Sequence, residues 1–548
     1  YIPKDVYWGL VRKSRGSLGY NERQYETMEG TLSFRHKFWN MIDVNAVAGM
    51  GRYLDKGTGM TVSYQNANDM INDSNLAAAD GPFSPTSYKY ENEKRSQFLR
   101  ASFDVLDRYV LTGTLRRDGT DKFFPDKKYS LFPSASVAWK MSNESFMQHL
   151  SWLNLLKVRA SYGVTGSDNL GTSLYGIIGI SREDVKFSNS GVTYVPYALQ
   201  SANYSDVTWQ KTAMKNIGLD FSILKDKIWG SLDFFRNDVT NLLGTAPTSL
   251  LNMYGYRPIN GGHYKRTGVE LSLNTLNIQT PNFKWTSSLA LSHYNAYWIE
   301  RMPNFDYKKY QKRENEPMSA YYYYKTVGVI NEDRSNMPDS QRSLPREAQL
   351  PGYPIIDDRN GDGKIDIDDI YMDNTLPKVY YGFGNTFTYK NFDLDIYMYG
   401  QLGVKKFNST HASNCSAANL ASGTLASNPT DYAYAIWNSQ TNPNGTVPGI
   451  ASSKSVALPE NAPINTFWEK ASFLRVRNIT LGYNWDTRKL AFLKGNVQTI
   501  RLFVDFQNPF TLTKFEGDDP EITTAAGNLG HGQYPQLRVY SFGAKISF

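Results

Sequence analysis

Every second residue at the C-terminal end is apolar. Tyr540, Phe542, Ala544, Ile546 and Phe548 share one face, while Val539, Ser541, Gly543, Lys545 and Ser547 share the other. A period of two marks a strand with one greasy side, because successive side chains point to opposite faces. The pattern returns at Val158, Ala160, Tyr162 and Val164, at Ile217, Leu219, Phe221 and Ile223, at Ile479, Leu481, Tyr483 and Trp485, and at Ile500, Leu502, Val504 and Phe506. It predicts fifteen strands, near residues 25–38, 41–53, 97–106, 108–117, 132–140, 155–165, 215–224, 227–238, 265–275, 283–293, 380–389, 391–401, 471–484, 498–507 and 537–548. Helical spacing is nearly absent; Phe146, Leu150 and Leu153 predict one short helix within a turn.

The links between these strands alternate in length. Short ones (39–40, Asp107, 141–154, 225–226, 276–282, the neighbourhood of Asn391, 485–497) take turns with long ones (54–96, 118–131, 166–214, 239–264, 294–379, 402–470, 508–536). A soluble sandwich has no reason to gather its long loops at one end, whereas outer-membrane barrels carry short periplasmic turns and long extracellular loops. A secreted sandwich or propeller is the alternative, weakened by the lack of a fixed repeat. A mean hydropathy of −0.49 agrees with a barrel, whose strands are apolar on alternate residues only. No run of 18 apolar residues predicts a transmembrane helix.

An odd number of strands leaves unpaired backbone groups facing lipid, each costing several kcal/mol. The reading therefore expects further strands N-terminal to Tyr1, about seven if the barrel has the roughly 22 strands of the plugged transporters. The chain opens with neither an initiator Met nor an apolar leader, as a cleaved or partial product would.

The charge balance, 59 − 52 = +7, is spread along the chain rather than clustered, which argues against a nucleic-acid partner. A single cysteine, Cys415, excludes a disulfide framework. The six histidines, His36, His149, His263, His293, His411 and His531, form no His-x-x-x-His pair, so spacing argues against zinc. No nucleophile elbow or phosphate loop is present, and no catalytic residue is assigned. A secreted glycan-binding protein or glycoside hydrolase is the alternative of a different class.

One local motif stands out inside the 294–379 loop: Asp358-Arg-Asn360-Gly-Asp362-Gly363-Lys364-Ile365-Asp366-Ile-Asp-Asp369. Calcium takes six to eight hard oxygens in a tight wrap, with glycine at the sixth position of the loop. Asp358, Asn360, Asp362, the Lys364 carbonyl, Asp366 and Asp369 supply that pattern, with Asp one methylene shorter than the usual Glu at the end. The expectation is one structural calcium ion, holding a loop in which nothing else offers a hydrophobic core. The run Tyr321 to Tyr324 is read either as an interfacial aromatic girdle or as a substrate contact.

Several long stretches resemble the SusC/RagA class of TonB-dependent outer-membrane transporters. They are Leu111 to Met147, Leu156 to Leu170, Tyr381 to Gly403, Phe473 to Trp485, Asn508 to Ile522, and the ending YPQLRVYSFGAKISF. The resemblance implies an all-β transmembrane antiparallel barrel of 22 strands, of which residues 1–548 are the C-terminal part without plug or first strands. It implies a SusD-like surface lipoprotein as lid over the 294–379 and 402–470 loops, and TonB acting through the absent N-terminal region. It implies uptake of oligosaccharides, or of oligopeptides as the runner-up, across the outer membrane of a Gram-negative bacterium, with membrane lipid around the wall.

Overall fold

The computed structural model describes residues 15–65, 81, 83–170, 174, 177–180, 187–189, 192–194, 197–201, 203–248, 256–311, 313–408, 411–412, 434–449, 458–487, 497–517, 519–521 and 536–547. Fifteen strands follow one another in chain order in one antiparallel sheet. They are β1 (Arg15–Phe38), β2 (Ile42–Gln65), β3 (Ser84–Val105), β4 (Tyr109–Thr120), β5 (Tyr129–Lys140), β6 (Leu153–Ser167), β7 (Gln210–Ile223) and β8 (Ile228–Pro247). Then come β9 (Tyr256–Gln279), β10 (Phe283–Glu300), β11 (Val379–Tyr389), β12 (Phe392–Leu402), β13 (Phe473–Asp486), β14 (Thr499–Thr513) and β15 (Val539–Ser547). The strand count agrees with the sequence reading, and the links alternate in length as expected except at 121–128, which is shorter than the 141–152 link after it. Phe548 lies outside the described residues.

The contacts divide the chain into two units. The first comprises Tyr1–Val137, Ser161–Ala213 and Val239–Gly261. Its β1 and β2 are 24 residues each, roughly 80 Å at about 3.3 Å per residue. That is more than twice the ~9–11 residues a strand needs to cross a bilayer. Residues 54–65 and 84–96, expected as loop, instead continue β2 and β3 in unbroken register, from Leu54 opposite Glu93 to Ser63 opposite Ser84. The expectation failed for a physical reason. Lys56 and Thr58 interrupt the greasy alternation there, while the backbone ladder persists. Ion pairs replace it: Arg23–Asp55 at 2.8 Å, Arg52–Glu93 at 2.8 Å and Arg95–Glu93 at 2.6 Å.

The opposite end of these hairpins is tight. Trp39 and Asn40 have φ of 49° and 55°, and Leu106 and Asp107 have 57° and 55°. Two successive left-handed residues make a type I′ turn, whose twist matches that of the paired strands. Asn and Asp tolerate this conformation; Trp39 and Leu106 hold it against a steric cost. Between β5 and β6 no α-helix forms around Phe146 and Leu150. A 3₁₀ turn at Met141–Asn143 leads into successive turns closed by Met147 N–H to Glu144 O and Leu150 N–H to Met147 O, each 3.0 Å. Three residues separate Phe146 from Leu150, a single turn that is too short to stand as a helix alone.

The second unit comprises Ala138–Ala160, Met214–Asp238 and Gly262–Phe548. Its strand register sorts the side chains. Leu289, Phe383 and Met398 are successive partners across β10, β11 and β12, and Leu394, Leu481, Val504 and Phe542 across β12 to β15. Ile500 stands opposite Ile546 and Leu502 opposite Ala544. On the other face Asp505 stands opposite Ser541, and Arg501 opposite Lys545. The apolar face is the lipid face, where each large side chain withdrawn from water contributes about 1.5–3 kcal/mol.

The 294–379 segment departs most from expectation, because it has a hydrophobic core of its own. Short strands Ala320–Tyr323 and Tyr371–Asn374 pair, as do Thr326–Val329 and Pro354–Ile356. Beneath them pack Tyr324, Ile330, Ile356 and Ile370, each at 0–1 % exposure, with Leu344 and Ile365. Leu458, Ala462 and Ile464, from the far end of the 402–470 segment, complete this core. The contributors are scattered singly over some 140 residues without a period, which is why no local pattern announced them. Tyr322, Tyr323 and Tyr324 are 7, 6 and 0 % exposed, so the tyrosine run is loop core rather than girdle.

Candidate functional site

The inner face of the second unit is polar and internally paired. Arg159 on β6 reaches Asp220 at 3.0 Å and Asp233 at 2.7 Å, with Lys157 3.2 Å from Asp220. Gly218 lies under that guanidinium; a Cβ there would stand 2.5 Å from Arg159 Cζ and would push the arginine end aside. Arg501 pairs with Asp393, Thr386 donates to Asp395 at 2.6 Å, and Thr480 donates to Asp505 at 2.5 Å. Charges in such ladders neutralise one another and leave a wettable wall.

Nearer the long loops that wall opens into a recess of about 640 Å³, lined by Asp233, Glu270, Tyr380, Tyr397, Tyr399 and Arg477 among others. Tyr294 on β10 and Tyr380 on β11 lie parallel, ring centroids 5.5 Å apart and planes within 1°. The Arg266 guanidinium sits 3.9 Å from the Tyr294 centroid, a cation–π geometry. Its Nε is buried and has no hydrogen-bond partner among the described residues. Aromatic faces beside carboxylates and a guanidinium make a surface that can stack on flat or C–H-rich ligands while hydrogen-bonding their polar edges.

The predicted calcium residues are adjacent in space and already ordered by their own backbone. Asp358 Oδ1 and Oδ2 accept from Gly361 and Gly363 N–H at 2.8 and 2.9 Å. Asn360 Oδ1 accepts from Asp362 N–H, and Asp362 Oδ1 from Lys364 N–H at 2.9 Å. Asp366 caps a 3₁₀ turn at Ile367–Asp369, and Asp369 accepts from Arg359, Asn360 and Asp366 N–H while fully buried. Burial pushes the Asp369 carboxyl above its usual value. Gly363 has φ of +83°, the left-handed turn that the sixth position of a calcium loop requires. Ile365 and Ile370 plug the loop into the hydrophobic core described above.

Two residues the sequence reading did not single out hold the loop before β15. Arg475 on β13, 3 % exposed, donates to Asp519 at 2.7 Å, to Glu521 at 2.5 Å and to Thr511 at 2.9 Å. Tyr399 donates to the same Glu521 carboxylate at 2.6 Å. An arginine on an otherwise β-forming segment was the available signal, but its carboxylate partners lie more than forty residues away.

The family model described as "TonB dependent receptor-like, beta-barrel" matches residues 4–508. "TonB-dependent receptor P3" of Formosa agariphila is 28% identical over 506 residues, covering 86% of this chain and 47% of that protein. "TonB-dependent receptor SusC" of Bacteroides thetaiotaomicron is 27% identical over 476 residues, covering 84% of this chain and 44% of that one. The chain thus spans about half the length of the curated relatives it matches. Among solved structures, the RagAB peptide transporter superposes with a TM-score of 0.78 at 18% identity, covering 97% of this chain and 56% of that one, a likeness of fold.

Proposed function

The chain belongs to the TonB-dependent receptor β-barrel family, whose SusC-like members are outer-membrane proteins of Gram-negative bacteria, and on that premise we propose that it is the wall of an active nutrient importer. The cargo is oligosaccharide, captured with a SusD-like surface lipoprotein and released inward by TonB acting on a plug supplied by another part of the protein. The observation that supports this reading most is the division of one sheet into an apolar face and an ion-paired face bearing a recess lined by Tyr380, Tyr397 and Tyr399, with Tyr294 stacked on Tyr380. A wall built only for support has no use for stacked aromatics and carboxylates on its wet side.

The test is growth and uptake by a strain lacking the gene, on defined glycans and defined peptides, with the full-length protein restored. Loss confined to glycans supports the reading. Loss confined to peptides replaces the substrate class with oligopeptides, and loss of neither removes the import function. Affinity purification in detergent is expected to recover a lipoprotein partner in about equal amount; its absence at native expression would favour a simpler pore.

We also propose that residues 358–369 take up one calcium ion for structure. Asp358, Asn360, Asp362, the Lys364 carbonyl, Asp366 and Asp369 would hold it, the ion offsetting the burial of Asp369. Extracellular calcium modules bind at about 10⁻⁴–10⁻³ M. Calorimetry on the full-length protein is expected to show that affinity, and Asp358→Ala with Asp362→Ala to abolish it. No heat up to several millimolar calcium would return the motif to a self-capped turn.

A further inference from the structure

Spacing along the chain argued against a transition-metal site, yet folding gathers one candidate from three distant positions. The ligand-capable atoms of His411, Glu469 and Glu516 all lie within 4.8 Å of one another. His411 and Glu469 are 58 residues apart in sequence, and Glu469 and Glu516 are 47 apart, so no local motif could show them.

The arrangement is built rather than accidental. His411 Nδ1 lies 3.0 Å from Glu469 Oε1, and their side chains are 7 % and 18 % exposed. Asn408, fully buried, donates from Nδ2 to the same Oε1 at 2.9 Å and accepts the His411 N–H at 3.1 Å on Oδ1. The Glu516 backbone N–H donates to Glu469 Oε2 at 3.2 Å, which brings the Glu516 side chain alongside. The segments are held from below as well. Lys405–Phe407 pairs with Trp468–Lys470, and Val404, Ala471 and Phe515 form a buried apolar cluster.

Two carboxylates and one imidazole meet in a half-buried pocket, a donor set that suits a divalent cation. We propose that His411, Glu469 and Glu516 bind a divalent transition-metal ion, zinc in the first instance, which clamps the 402–470 segment to the segment before β15. The imidazole decides the class of metal, since calcium and magnesium take oxygen ligands while nitrogen with carboxylate suits zinc. A zinc ion sits about 2.0–2.2 Å from such donors, so rotation of the exposed Glu516 side chain is what closes the site. The inward-held Asn408 then acts as the outer partner that fixes the orientation of Glu469, as such partners do in zinc sites. This site is separate from the 358–369 loop and independent of the substrate class.

The experiment uses the full-length transporter in detergent, stripped with chelator and titrated with zinc against a chromophoric zinc indicator, with cobalt absorption as a second readout. One zinc per chain is expected, undisturbed by millimolar calcium, with a tetrahedral-type cobalt spectrum. His411→Ala and Glu516→Ala are each expected to weaken zinc at least about tenfold. Glu516→Ala keeps the backbone N–H that Glu469 uses, so it reports on the ligand even if His411→Ala disturbs the segment. Asp358→Ala is expected to leave zinc binding unchanged. Zinc held no better than micromolar, unchanged affinity in both ligand variants, or loss of zinc in Asp358→Ala would each overturn the assignment.

Discussion

Arg475 and Asp519 form a buried ion pair, 2.7 Å long with the side chains 3 % and 4 % exposed, that joins β13 to a loop residue 44 positions further on. Two opposite charges withdrawn from water give little net stability, but removing one partner strands the other. The pair therefore specifies where the last long loop returns to the sheet.

Arg475→Ala leaves Asp519 and Glu521 without their main cation. A local penalty of about 3–5 kcal/mol is expected, read as faster amide exchange across residues 514–521 with the strand ladder unchanged. Unaltered protection there would mean that the loop is held by its other contacts.

Ile546 lies opposite Ile500 on the apolar face, and Ser541 lies opposite Asp505 on the polar one. Ile546→Arg is expected to cost ~2–4 kcal/mol if it falls near mid-bilayer, whereas Ser541→Arg costs little. Urea titration of the full-length protein in lipid vesicles distinguishes them. Equal tolerance at the two positions would reverse or cancel the assignment of faces.

The core of the 294–379 segment sets its rigidity. Ile330 and Ile356 are 0 % and 1 % exposed, and truncating either to Ala is expected to cost about 2–5 kcal/mol locally. Limited proteolysis is expected to cut within 320–375 while heat-resistant migration of the barrel persists. Continued protease resistance would show that calcium, rather than packing, carries the segment.

Lys405 and Tyr323 both place donors 2.7 Å from Asp373 Oδ2, tying the 294–379 and 402–470 segments together. Burial pulls the Asp373 carboxyl up, but these two hydrogen bonds outweigh it and hold the carboxyl below its ordinary value. A folded pKa below the unfolded one stabilises above the unfolded value, and the contribution drains away as pH falls below about 4. Amide exchange at Tyr371–Asn374, divided by its intrinsic rate at each pH, is thus expected to be level from pH 7 to 5 and to rise toward pH 3. Asp373→Asn should flatten that rise; an unchanged profile would assign it to another carboxylate.

The number of strands, their faces and the end from which the long loops emerge were all legible in the residues, and so was the family. Lipid accounts for this: it imposes an apolar demand on every second residue, and alternation at Ile500, Leu502, Val504 and Phe506 records the demand locally. Where that alternation breaks off, as along residues 54–65, only the paired backbone shows that the strand continues. The turn at 358–369 was equally legible, because its carboxylates and turn glycine fall within twelve consecutive positions. Folding alone brought Ile464 under Tyr324, Arg475 to Asp519, Tyr294 against Tyr380, and His411 to Glu469. Each of those pairs is chosen by packing across dozens of residues, and a contact of that kind leaves no period in the chain that makes it.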